Sequence, residues 1–206
     1  MRAALLVIDL QRDFCPGGAL AVKDGDEVIP GINRIIDIFD RLDLPIFFTR
    51  DWHPSNHVSF KSRGGVWPPH CVQGSAGAEF HPALRIPLNA AVISKGDSPK
   101  KEAYSGFQGT DLEIQLKRSG VEEIFLCGLA TDYCVKESAL DALRAGFRVS
   151  VIQDCIRAVN VKPGDGEKAL SDMKKAGARM TASSSLFKQV ASTQQWSHHP
   201  GLSGQS

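Results

Sequence analysis

The 206-residue chain has little charge bias: 24 Lys and Arg against 23 Asp and Glu leave a net charge of +1, and no basic stripe is interleaved with aromatics. Binding to a polyphosphate backbone needs such a stripe, so no nucleic-acid partner is expected. Long hydrophobic runs are missing as well. The longest apolar stretches fall far short of the roughly 20 residues of a bilayer span, and Met1-Arg2 leads straight into a strand-like run rather than a signal segment. No membrane partner is expected, and the expected compartment is the cytoplasm. The five cysteines, Cys15, Cys71, Cys127, Cys134 and Cys155, are odd in number and scattered, which excludes a fully paired disulfide framework and fits a reducing environment. Also absent is a Gly-x-Gly-x-x-Gly turn. After the first apolar run the chain reads Leu10-Gln11-Arg12-Asp13-Phe14, which argues against a nucleotide-binding domain whose pyrophosphate must approach bare backbone.

What the chain does have is alternation. Strand-like runs at Ala3 to Asp9, Ile46 to Arg50, Ala91 to Lys95, Glu123 to Gly128, Phe147 to Gln153 and Ala178 to Ala182 are separated by stretches of helical period. Val28, Ile29, Ile32, Ile35, Ile36 and Phe39 form one apolar helix face. Further helices are predicted for Leu112 to Ser119, for Asp132 to Ala145 with Gly146 as its stop, and for Glu167 to Lys175 with Gly177 as its stop. The pattern predicts a doubly wound, three-layer α/β/α domain over residues 1–190. Residues 191–206, polar and carrying His198-His199, read as a flexible, solvated tail. The segment from Asp51 to Pro87 has little periodicity, and so long a loop in a compact domain points to function.

Three charged or nucleophilic residues close predicted strands. Asp9 ends the first, Lys95 the third, and Cys134 stands where Ile124 to Gly128 hands over to a helix. In a parallel sheet the carboxyl ends converge on one edge, so residues distant in sequence can meet there. A thiol on the first turn of a helix faces free N–H groups and the positive end of the dipole, which predicts a lowered pKa and a ready oxyanion site. Asp9 is then the proton acceptor and donor for Cys134, with Lys95 holding the carboxylate.

Beyond the second strand, Asp51 and His53 stand at i and i+2, so in extended chain their side chains face one way. His70, in Trp67-Pro68-Pro69-His70-Cys71, can return from the loop to complete a set of one carboxylate and two imidazoles. That set suits Zn²⁺ first, with Fe²⁺ or Mn²⁺ as alternatives, and leaves coordination positions open. Cys15, Cys71, Cys127 and Cys155 read as packing residues, although Cys15 and Cys71 flank this region and are also candidates for reactivity.

Val7-Ile8-Asp9-Leu10-Gln11-Arg12-Asp13-Phe14, Asp51-Trp52-His53-Pro54, Trp67 to Cys71 and Gly128-Leu129-Ala130-Thr131-Asp132-Tyr133-Cys134-Val135 occur in an order that closely resembles the nicotinamidases of the isochorismatase-like hydrolase superfamily. The likeness runs from about Arg2 to Ser185 and includes Tyr104-Ser105-Gly106-Phe107. It implies a six-stranded parallel sheet of order 3-2-1-4-5-6, a triad of Asp9, Lys95 and Cys134, and one divalent metal held by Asp51, His53 and His70. It further implies an oxyanion hole from the backbone amides of Ala130 and Cys134, a cis Leu129–Ala130 peptide, and a pocket of Phe14, Trp67 and Tyr104 flanked by Leu20 and Val22. Ser59 matches a position where some relatives carry a ligating histidine; its hydroxyl is suited to a metal-bound water rather than to direct ligation. His57, two residues earlier, reads as a surface histidine or a secondary ligand.

The implied activity is hydrolysis of nicotinamide to nicotinate and ammonia through a thioester, in salvage toward NAD, with pyrazinamide as a related substrate and homo-oligomers left open. The alternative within the superfamily is an amidase for N-carbamoyl or ureido substrates, which needs no pyridine-facing metal. An isochorismatase needs no cysteine nucleophile, so Cys134 argues against it.

Overall fold

The computed structural model describes residues 2–195. Six parallel strands, β1 (Arg2–Ile8), β2 (Ile46–Asp51), β3 (Ala91–Lys95), β4 (Val121–Leu129), β5 (Arg148–Arg157) and β6 (Arg179–Thr181), pair in the order β3-β2-β1-β4-β5-β6. The helices are α1 (Ile29–Arg41), α2 (Leu112–Arg118), α3 (Lys136–Arg144), α4 (Asp165–Lys175) and α5 (Leu186–Gln195). Both the class and the strand order are those expected. The strand order reverses beside β1, between β2 and β4, and this is the switch point at which open α/β sheets bind ligands.

Strand β1 shows why the fold has three layers. Ala3, Leu5 and Val7 pack with Ile32, Ile35, Ile36 and Phe39 of α1 on one face, while Ala4, Leu6 and Ile8 pack with Leu112, Ala139 and Met173 on the other. A strand covered on both sides must be apolar at every position, which is how β1 reads. Each fully buried leucine or isoleucine contributes about 2 kcal/mol of transfer free energy.

Differences from the sequence reading are local. The helix expected from Asp132 begins as a π-helical turn, Thr131–Val135, in which the Ala130 carbonyl accepts N–H bonds from both Tyr133 and Val135, and continues as α3. Helix α5 carries no periodic signal strong enough to have been predicted, and it extends through residue 195. Residues 196–206, including the two tail histidines, lie outside the described residues. The long 51–87 segment is organised by short 3-10 turns and by isolated bridges joining Gln11 to Phe80, His53 to Val72 and Phe60 to Trp67.

The carboxyl edge of the sheet is shaped by two unusual backbone positions. Asp9 leaves β1 with φ 46°, a left-handed conformation that aspartate tolerates better than most residues and that turns the chain out of the strand. Beside it, Gly128 has φ +114°, and a Cβ there would lie 2.1 Å from the Ile8 carbonyl oxygen. Gly128→Ala should therefore destabilise the protein by about 2–4 kcal/mol, since neither backbone can yield. Urea unfolding would show it, and a midpoint equal to that of the parent would contradict this account of the β1–β4 approach.

Candidate active site

Lys95 is the centre of the site. Its ammonium, fully buried at the end of β3, lies 2.9 Å from Asp9 Oδ2, pairs with Asp51 Oδ1, and donates to the Ala103 carbonyl at 3.4 Å; Cys134 Sγ is 3.5 Å away. Burial works against its charge, but the two carboxylates outweigh that and hold its pKa well above the usual lysine value. The strand ends thus bring together Asp9, Lys95 and Cys134, as expected. Asp51 joins them as a second carboxylate partner of Lys95, a contact that strand-end spacing does not encode.

Asp9 is held between Thr49 and Lys95. Thr49 Oγ1 donates to its Oδ1 at 2.6 Å, Oδ2 faces the Lys95 ammonium at 2.9 Å, and the Cys134 thiol hydrogen-bonds to the carboxylate. Burial raises its pKa, which Lys95 opposes.

The expected lowering of the Cys134 pKa is not what the structure shows. Burial pushes the thiol well up, and Asp9 and Asp51 add to the rise; Lys95 is the group that pulls it down. The end of a helix cannot by itself overcome full burial beside two carboxylates. The sulfur therefore rests as a thiol. Cys15, pushed up to about 11 chiefly by burial, and Cys71, buried and raised further, sit as packing residues, in keeping with the first reading of them.

On the other side of Asp51 is a second cluster. Ligand atoms of Asp51, His53 and His70, all buried, lie within 4.8 Å of one another. His53 Nδ1–H donates to the Gly96 carbonyl and His70 Nδ1–H to the Pro68 carbonyl, each at 2.8 Å. With each Nδ1 so engaged, each Nε2 is left to face the cluster, and His53 Nε2 is 3.5 Å from Asp51 Oδ2. Rings pinned through one nitrogen by backbone carbonyls are the arrangement that orients imidazoles on a metal, so this donor set fits a divalent cation. Burial opposes charging of both rings; Asp51 more than offsets it at His53, whose pKa is raised, whereas burial keeps that of His70 lowered. Gly96, at φ +64°, allows the approach of His53, because a Cβ would lie 2.5 Å from the ring.

His57 is buried rather than on the surface. Its ring stacks on His53 with centroids 4.1 Å apart, Nε2–H donates to the Lys101 carbonyl at 2.9 Å, and Nδ1 accepts from Ser59 Oγ at 2.7 Å. Both nitrogens are engaged, so His57 and Ser59 buttress His53 instead of adding to the donor set. Gln11 is another support that sequence reasoning missed. It accepts the Asp51 N–H at 2.7 Å and donates to the Asp51 and Ala78 carbonyls at 2.7 and 2.9 Å, fixing the Asp51 backbone from both sides. Its position two residues after Asp9, just past β1, was the available signal.

Between the clusters opens a pocket lined by the expected Phe14, Leu20, Val22, Trp67 and Tyr104, together with Asp51, His70, Ala130 and Cys134. The Leu129–Ala130 peptide is cis. Leu129, Tyr133 and Val159 complete the wall, and these three were not anticipated. Tyr133 directly precedes the cysteine and was within reach of the motif; Val159, beyond β5, carried no signal.

An isochorismatase domain profile matches residues 3–185. The chain is 43% identical over 198 residues to the nicotinamidase of Escherichia coli, covering 86% of this chain and 93% of the relative. Among solved structures, the pyrazinamidase of Pyrococcus horikoshii in complex with zinc superposes with a TM-score of 0.85 at 49% identity, over 88% of this chain and 99% of that one. PnC1 from L. infantum in complex with nicotinate gives 0.83 at 38% identity, over 89% and 93%. The chain belongs to the isochorismatase family of hydrolases. Within that family its similarity is to the nicotinamidases.

Trp67 Nε1–H donates to the Tyr104 hydroxyl at 3.0 Å, and burial chiefly pushes that phenol up to about 12 from an ordinary 10.0. Between these values the unfolded chain releases the proton first. The contribution of Tyr104 to stability is thus complete below pH 10 and is lost as pH rises through about 12. Unfolding free energies measured across that window should fall less steeply for Tyr104→Phe than for the parent, and equal slopes would contradict the assigned environment.

Proposed function

We propose that the chain hydrolyses nicotinamide to nicotinate and ammonia, with Cys134 as nucleophile. The observation that carries this reading is the placement of the Asp9–Lys95–Cys134 group and the Asp51–His53–His70 donor set in one aromatic-lined pocket. A flat ring held between Phe14, Trp67 and Tyr104 would present its carboxamide carbon to Cys134 and its ring nitrogen to the donor set. The similarity to enzymes named nicotinamidase and pyrazinamidase supports this choice over an N-carbamoyl or ureido amidase, and the same pocket would take pyrazinamide.

Because Cys134 rests protonated, attack and proton transfer proceed together: Asp9 takes the thiol proton as the sulfur bonds to the carbonyl carbon. Charge passes to the carbonyl oxygen, for which the Ala130 and Cys134 backbone N–H groups are the proposed donors. Collapse expels ammonia with the proton held by Asp9 and leaves a thioester. Asp9 then deprotonates an incoming water, which attacks the thioester and releases nicotinate, and the proton returns to sulfur. Lys95 keeps Asp9 in place and balances the charge throughout. Asp51, His53 and His70 would hold the cation, zinc in preference to iron or manganese, and its chemistry when bound is to grip the ring nitrogen and add positive charge near the carboxamide. Five buried thiols without disulfides support a cytoplasmic setting, and no helix among the described residues is long and apolar enough to cross a membrane. Nicotinate from this reaction would serve salvage toward NAD.

Cys134→Ala should lower ammonia release from nicotinamide by at least about 10³-fold. It should still bind one metal ion per chain by elemental analysis, whereas His53→Ala and His70→Ala should lose the metal. Substantial turnover by Cys134→Ala would reject the covalent route.

A further inference from the structure

Two cavities share Tyr133. In the catalytic pocket its ring meets Trp67 edge-on with centroids 5.2 Å apart and lies 5.6 Å from the ring of Tyr104. Behind it opens a polar groove lined by Asp132, Lys136, Asp165 and Lys168, at the start of α3 and along α4. The half-buried Tyr133 thus lines both the pocket and the groove.

We propose that Tyr133 is a specificity-determining residue: its ring closes the pocket toward the groove and restricts the enzyme to carboxamides whose aromatic ring carries no bulky substituent on that side. This rests on the amidase reading given above. The surroundings of Tyr133 are fixed, so shortening it opens the partition rather than letting the wall collapse. Its backbone N–H is held by the Ala130 carbonyl at 3.1 Å. Val159, which lines the same pocket, is held through its backbone. The Asp132 carboxylate accepts the N–H of Val159 at 2.9 Å and that of Asn160 at 2.8 Å, tying this loop to the turn that carries Tyr133. A substituent passing the gap would enter a groove with charges of both signs, where a polar arm keeps its hydration.

The test compares the parent, Tyr133→Ala and Tyr133→Phe on nicotinamide and on nicotinamides substituted in turn at each free ring position with methyl, methoxy and hydroxyethyl groups, with kcat/KM read from ammonia release. For at least one ring position, the ratio of substituted to unsubstituted amide should rise about tenfold or more in Tyr133→Ala, while Tyr133→Phe keeps the parental ratio. An unchanged ratio at every position in folded Tyr133→Ala overturns the proposal, as does an equal rise in Tyr133→Phe. If the alanine variant does not fold, Tyr133→Leu is judged by the same two outcomes. Should the parent fail to hydrolyse nicotinamide, the amidase reading falls by itself. The partition is then tested by binding of nicotinate and substituted nicotinates, followed through tryptophan fluorescence, with the same change in ratio required.

Discussion

A single buried ammonium organises this protein's chemistry. Lys95 sits where β3 ends, without exposure, between the carboxylates of Asp9 and Asp51 and against the sulfur of Cys134. Stripping water from each such ion costs several kcal/mol, so the cluster persists only because its members answer one another. Neutralising Lys95 alone would leave two carboxylates facing each other in a dry site. The same contacts that make the lysine costly to remove make it useful, since it anchors Asp9 beside the thiol without competing for the thiol's proton.

Asp51 belongs to two clusters at once. One oxygen answers Lys95, and the other faces His53 within the donor set. The nucleophilic side and the cation side of the pocket are therefore joined through one carboxylate, whose backbone Gln11 fixes at both its N–H and its carbonyl. A ring lying between the two sides is addressed at both ends by groups that cannot shift independently. On the proposed reading, such rigidity would preorganise the site and lower the cost of orienting the reacting atoms.

Sequence reasoning reached most of this because the sheet projects strand-end residues onto one edge. Asp9, Lys95 and Asp51 each end a strand whose apolar run is plain, and parallel pairing did the rest. What it could not reach depends on side-chain direction within loops. His57 lies in the same His-bearing segment as the donor pair, yet its nitrogens turn to Ser59 and Lys101, a choice that spacing does not encode. Val159 enters the pocket only because Asp132 draws a distant loop across by two hydrogen bonds. Helix α5 escaped because its weak amphipathicity carries no clear period, although Leu186 and Val190 are fully buried against the core.

The expected thiolate failed for an instructive reason. Helix-terminal N–H groups lower a thiol's pKa where the sulfur keeps some access to water, but Cys134 is almost wholly enclosed and has carboxylates for neighbours. As the proposed nucleophile, Cys134 would gain nothing by waiting ionised. It needs a base already in contact and a site that charges only as the bond to carbon forms. Asp9 meets that need because burial raises its pKa while Thr49 and Lys95 oppose the rise. On the proposed route, with Asp9 already hydrogen-bonded to the thiol, proton and electron pair would move in one step.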